Sequence, residues 1–268
     1  MMSLLAKIKK KLLKQHNFQF RHPIAYVREM HPILPANKVP MAWRKKAAEK
    51  VNKDKQSKVS PDKPNKVDNF FTSTALCDGI GKLLSNSYIV KSPVDIKVIT
   101  FGDGSEFSWE APNVGFSDGV GKAPVSCFNP EKFANYVQLP DNTLKTVIKI
   151  DTGWFCQAPE DYLFLISPLH YHEELRFTAC SGMLDPTVVP TLDIPIFWHN
   201  IDGEELIEAG TPLALITPIK RNSKLNINIA PTTEHDIEVL RQLSFATGAS
   251  FNTPSSNAMR AVMKNLKA

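Results

Sequence analysis

The sequence predicts a mainly β protein: an antiparallel β-barrel or sandwich with an extended basic N-terminal arm and two C-terminal helices. Three observations predict it. From Asp68 onward, short β-branched or aromatic runs succeed one another, each closed by Gly, Pro, Asn or Asp, which is the spacing of sheet proteins. Residues 44–66 are dense in lysine and nearly devoid of large apolar groups, a composition that cannot bury enough surface to offset its ordering entropy. After residue 231 the apolar period changes to that of helices. These boundaries divide the chain into an arm over 1–66, a β body over 67–230 and a helical tail over 231–268.

Within the arm, "SLLAKIKKKLLK" over residues 3–14 sets Leu5, Ile8 and Leu12 on one helical face, with Leu4 beside them and lysines around the rest. This is a short basic amphipathic helix. Its apolar face suits a docking surface on another protein or, as the alternative, a membrane surface. Residues 17–43 are rich in Pro and aromatics and read as an extended segment that wraps rather than folds alone. The Lys-rich stretch follows as a linker. Leu4, Leu5, Ile8, Leu12, Trp43, Lys45 and Lys46 are the expected partner contacts.

In the body, Val94, Ile96 and Val98 of "VDIKVIT" alternate toward one buried face. "YLFLI" is apolar throughout and reads as a central strand, whereas the prolines of "DIPIF" and "ITPI" mark edges or bulges. In the tail, Thr232 and Thr233 are N-cap candidates for a helix carrying Ile237, Leu240 and Leu243 along one face. A second helix sets Met259, Val262, Met263 and Leu266 at helical spacing.

Charge divides with the architecture. Residues 1–66 hold 17 Lys or Arg against 4 Asp or Glu, a net of +13, and the remainder holds 15 against 23, a net of −8. A basic arm on an acidic body calls for an acidic partner, or lets the arm lie back on its own or a neighbouring copy's acidic body. No apolar run approaches the roughly 18 residues that span a bilayer, and the N-terminus lacks the uncharged core of a secretory signal. Cys77, Cys127, Cys156 and Cys180 form no C-x-x-C pair and read as free thiols, with zinc or disulfides as the alternative.

The candidate chemistry is sparse. Asp185 in "SGMLDP" is a possible catalytic carboxylate, with Ser167 upstream of it. His170 and His172 share a face if extended and could chelate a metal with His199 or Glu174. There is no phosphate-binding glycine loop and no nucleophile elbow. The preferred reading requires no cofactor and no metal.

"TGWFCQAPEDYLFLISP", "SGMLDP", "TLDIPIFWHN" and "EAGTPLALITPIKR" resemble, in order and approximate spacing, the barrel core of the trimeric dUTP pyrophosphatase and dCTP deaminase superfamily. That resemblance implies that Asp185 stands where the family's loop aspartate activates water. The pattern departs at Val188, where the family stacks an aromatic residue on the sugar, and at Leu215, where it carries Gln. Its phosphate-binding tail is only echoed by "ATGASFNTPSS". A wider set, from "PANKVPMAWRKK" through "ALCDGIGKLL" to "EAGTPLALITPIKR", is similar to an uncharacterised family of bacteriophages and some bacteria. Here too there are departures, Asp78 replacing that family's Pro. This second resemblance implies a phage origin and a β-rich fold. The acidic body, basic arm with an amphipathic tip and Pro-rich wrapping segments add the expectation of a non-enzymatic structural or assembly protein of the virion or host cytoplasm. It would be a homo-oligomer docking on virion proteins or on itself, with nucleic acid a further partner for the arm and membrane a lesser one. The alternative is a dUTPase-like nucleotide-binding or nucleotide-hydrolysing enzyme using Asp185 and Ser167.

Overall fold

The computed structural model describes residues 18–39, 45, 78–112, 123–128, 138–170, 172–221 and 229–249. The chain forms two compact units, residues 1–46 with 83–222 and residues 47–82 with 223–268. The elements in chain order begin with β1 (Gln19–Arg21), α1 (Ala25–Met30), β2 (Leu34–Pro35), α2 (Asp78–Ser85), β3 (Tyr88–Lys91), β4 (Ile96–Phe101) and β5 (Phe107–Glu110). They continue with β6 (Val125–Cys127), β7 (Ile148–Gln157), β8 (Tyr162–Ser167), β9 (Phe177–Ala179), β10 (Gly182–Leu184), β11 (Thr191–Trp198), β12 (Asp202–Ile207), β13 (Pro212–Lys220) and α3 (Glu234–Ala249).

The first unit is mainly β, with antiparallel sheets and few helices among the described residues. One sheet runs β1-β7-β11-β9 with β6 also on β7, a second runs β10-β8-β13-β3-β2, and a third runs β12-β4-β5. Period-2 alternation builds them. β7 turns Ile148, Ile150, Thr152, Trp154 and Cys156 inward, and β11 turns Leu192, Ile194, Ile196 and Trp198 inward to meet them. β13 is buried at four consecutive residues, Leu213 to Ile216, and is paired on both edges, by β3 and β8, at Leu215 and Ile216. Apolar residues of all three sheets join one core.

The prolines follow from hydrogen-bond direction. β11 is an interior strand, yet it holds Pro195. The Pro195 carbonyl accepts from the Cys180 N–H, at 2.8 Å, just beyond the last residue of β9. The missing N–H of Pro195 therefore faces the point where the neighbouring ladder stops. Pro218 lies past Ile216, where β3 pairing ends.

Residues 18–39 correct the expectation that residues 1–66 lie outside the core. β1 pairs with β7, Phe20 opposite Cys156, and β2 pairs with β3, Leu34 opposite Ile89. Phe20 packs on Phe164 and Tyr88, and Phe18 on Tyr162 and Phe164. Val27 and Ala36 are fully enclosed. The segment is thus a strap joining two sheets. Its aromatics and prolines, read as a wrapping composition, find their surface on this chain.

Two histidines fasten the strap. His22 is buried, its Nε2 donating to the Thr152 carbonyl at 3.1 Å while its Nδ1 accepts from the Ile24 N–H at 3.1 Å. That arrangement holds one neutral tautomer. Burial pushes the imidazole below its ordinary range, against the hydrogen bonds that favour its charge. His31 lies over Gly210, where a Cβ would come within 2.8 Å of Nδ1. Gly210 also has φ of +87°, so the glycine of "AGTP" serves both a left-handed turn and a close approach.

The second unit contributes α3. The Thr233 hydroxyl accepts from the Asp236 N–H at 3.2 Å, and Asp236 accepts from the Thr233 N–H at 2.7 Å. This reciprocal pair caps the helix start. The second C-terminal helix expected from the sequence lies outside the described residues, as does the amphipathic helix of residues 3–14.

Two expectations follow. Gly210→Ala should cost about 1–3 kcal/mol in urea unfolding, and adding His31→Ala should recover only the steric share, leaving the φ strain. For His22 the folded pKa lies below the unfolded one, so the neutral ring contributes stability that is full above about pH 6.5 and lost as pH falls below it. His31 and His199 are lowered in the same direction, chiefly by burial. The stability-versus-pH slope just below 6.5 should therefore shrink, without vanishing, in His22→Gln.

Candidate functional site

Asp185 follows β10, in the loop that returns the chain to β11. Its Oδ1 accepts from the Thr187 N–H at 3.0 Å and the Thr187 hydroxyl at 2.6 Å. Its Oδ2 pairs with an Arg221 guanidinium nitrogen at 2.6 Å. The Asp185 carbonyl receives the N–H groups of Val188 and Val189. Arg221 is itself fixed, its N–H on the Asp161 carbonyl at 2.6 Å and its Nε on the Glu160 carbonyl at 3.1 Å. The carboxylate thus clips its own loop to the end of β13 and the turn before β8. The Thr187 hydroxyl, then Arg221, hold it below the usual carboxylate range, which weakens it as a general base.

Ser167 does not join it. β10 pairs with β8 so that Leu184 faces Phe164 and Gly182 faces Ile166, which carries Asp185 away from Ser167 along the strand. The displacement is four positions in register, about 13 Å at a typical strand rise. A hydroxyl at that separation is beyond hydrogen-bond reach of the carboxylate.

The histidine candidates are likewise dispersed in role. His170 is exposed, and His172 accepts the Glu174 N–H at Nδ1, 3.2 Å away. Glu174 grips Arg176 with both oxygens, at 2.8 and 2.6 Å, and Arg176 also reaches the Leu206 carbonyl. Burial opposes the charge of Glu174, but the bonds from Arg176 outweigh it and keep the carboxyl low. His199 is held at both nitrogens, Nδ1 to the Thr143 hydroxyl at 3.0 Å and Nε2 to the Thr178 hydroxyl at 2.8 Å. Among the described residues, no three His, Cys, Asp or Glu side chains come together in a way that could hold a metal ion. Where the sequence offered His199 or Glu174 as a third ligand, the structure gives both to other partners.

Of the thiols, Cys156 is buried and Cys180 half-buried, and Cys77 lies outside the described residues. Burial pushes Cys156 up to about 12 and Cys180 up to about 11, so neither carries appreciable thiolate at neutral pH. Cys127 is an exposed free thiol. Of the expected partner contacts, Lys45 is exposed. Leu4, Leu5, Ile8, Leu12, Trp43 and Lys46 lie outside the described residues. Sequence reasoning missed the Arg221 clamp and the His22 and His31 fastenings. The clamp's one trace was the "IKR" that closes β13, and the fastenings' was the pair of His-Pro steps in the strap.

The outer face of the β12-β4-β5 sheet carries a groove of about 350 Å³ lined by Asp95, Lys97, Glu110, Ala111, Pro112 and Leu206. Lys97 Nζ lies between Glu110 Oε2 at 3.1 Å and Glu204 Oε2 at 3.3 Å.

No family model matches the chain, and no curated protein matches it. Among solved structures, it is similar to a point mutant of the dUTPase of phage phi11 of S. aureus, whose structure is described for its coordination of a structural Mg(II) ion. The identity is 11% and the TM-score 0.30, covering 56% of this chain and 83% of that one. A mutant dUTPase of Staphylococcus bacteriophage 80alpha is similar at 13% identity and a TM-score of 0.31, covering 56% and 86%. Neither likeness sets residues in correspondence, and the chemistry of the site stands on its own geometry.

The clamp predicts a local effect. Asp185→Asn and Arg221→Met should each speed amide exchange across residues 183–189, and the double variant should exchange no faster than the worse single one. Additive increases, measured by exchange mass spectrometry, would show that the two groups act separately.

Proposed function

We propose that this chain is a phage-encoded structural or assembly protein without catalytic activity, its three sheets closed into a dUTPase-like barrel that docks on neighbours through the lysine-rich segment. The observation that carries the reading is the state of Asp185. Both of its oxygens are engaged, its charge is neutralised by Arg221, and Ser167 lies out of its reach. A hydrolytic site needs a base presented to water together with groups that hold the substrate, and no such convergence surrounds this carboxylate among the described residues.

The strap changes where the docking element begins. Residues 18–39 belong to the body, so the contact-making parts are the amphipathic stretch of 3–14 and the lysines of 44–66. The apolar side chains of 3–14 supply burial that survives salt, and the lysines supply attraction that salt screens. Other virion proteins or further copies are the partners. Nucleic acid is disfavoured because 44–66 contains no aromatic residue beyond position 43 for bases to stack on.

A second reading, a nucleotide-hydrolysing enzyme using Asp185, draws on the order of segments across residues 153–221. The two are separated by assay. The purified protein should neither hydrolyse dUTP nor deaminate dCTP, and mass spectrometry of purified virions should detect it. Turnover that disappears in Asp185→Asn would establish the second reading instead.

A further inference from the structure

The β12-β4-β5 sheet concentrates the acidity of the body. Residues 95–110 and 202–208 hold eight Asp or Glu and a single basic residue, Lys97. One face of this sheet is core, with Ile96, Val98 and Ile207 buried. The other is open and carries both apolar and acidic side chains. Leu206 is 43% exposed in register with Lys97 and, beyond it, Glu110, while the carboxylates of Glu110 and Glu204 are 66% and 60% exposed. Phe101, 59% exposed, lies at the other end of β4. Exposed apolar groups rimmed by charge mark docking surfaces.

We infer that this face receives the lysine-rich segment of residues 44–66 from a second copy of the chain. The inference rests on the docking role proposed above and names its partner surface. Lys97 already shows the mode of engagement, its ammonium bridging two carboxylates on this face. An incoming lysine would lay its alkyl stem over Leu206 and Pro112 and set its ammonium against Asp95 or Glu110, as amphipathic side chains do on apolar surface beside acid. Residues 44–66 supply nine Lys or Arg against three Asp or Glu, interleaved with only Ala47, Ala48, Val51, Val59 and two prolines as apolar residues. Such short side chains fit a shallow groove. The same acidic face repels phosphate, which excludes nucleic acid and anionic lipid as its occupants. Each copy carries one face and one complementary segment, so two copies can exchange segments reciprocally in a closed pair, or the contact can run head-to-tail into rings or chains.

The test uses the full chain, mixed in equal amounts from unlabelled and 15N-labelled preparations and coupled with a zero-length lysine–carboxylate cross-linker. Cross-links between lysines of 44–66 and Glu110 or Glu204 should join the two labels. In sedimentation at low salt, Glu110→Lys with Glu204→Lys should weaken self-association at least tenfold. Adding Lys53→Glu, Lys55→Glu and Lys58→Glu should restore it, which a merely misfolded variant could not show. Cross-links confined to one label, which would place the segment on its own body, overturn the inference. So do their absence and an association unchanged by the reversal. None of these results bears on whether the protein turns over nucleotides or is present in virions, so the proposed function and this surface can fail separately.

Discussion

A neutral imidazole buried between a strap and a sheet fastens residues 18–39 to the body of this protein. His22 takes the Ile24 N–H and gives its own N–H to Thr152, on the strand that runs through the centre of the first sheet. Arg28 reaches back to the His22 and Pro23 carbonyls, so the turn leading into α1 carries its own polar closure. With these bonds made, Phe18 and Phe20 meet the aromatics of the second sheet. A segment whose composition resembles a tail becomes a clasp between sheets. An unpaired polar group there would cost about 1–3 kcal/mol, so the clasp tolerates only the neutral ring.

The same logic of engaged polar groups governs the candidate site. Asp185, Glu174 and His199 are each the residue type a catalytic or metal centre would use. Each is held by a local partner: Asp185 by Thr187 and Arg221, Glu174 by Arg176, His199 by two threonine hydroxyls. These bonds fix the loops between strands and leave the groups little chemistry to offer. On the surface, charge is unevenly placed, and the third sheet presents acid beside the exposed Leu206.

Much of the body was legible in the sequence because a half-buried strand writes its orientation into alternate residues. Ile96 and Val98 face the core as their spacing implies, and "YLFLI" is the interior strand β8. The strap was legible only in part. Proline and aromatic content indicated wrapping, but nothing local to "FQFRH" specifies pairing with a strand some 130 residues away. Basic neighbours on either side then drew the boundary too late. At the candidate site, "SGMLDP" marked the correct turn, whereas the role of Asp185 depends on Arg221, a residue from another strand end that no spacing within the motif reveals. Pro195 looked like an edge because sequence gives the loss of a donor but not the direction in which it would have pointed.

Residues 18–39 belong to the fold, paired with strands of two of its sheets, and the basic segment after residue 39 has a separate role in the proposed docking. Native-state amide exchange measures this directly. The N–H groups of His31 and Ala36, bonded to the Val27 and Ser87 carbonyls, should exchange as slowly as the interior amides of β7 and be released only by global unfolding. Strap amides that exchange on the timescale of an open chain while β7 stays protected would contradict the account and return residues 18–39 to the arm.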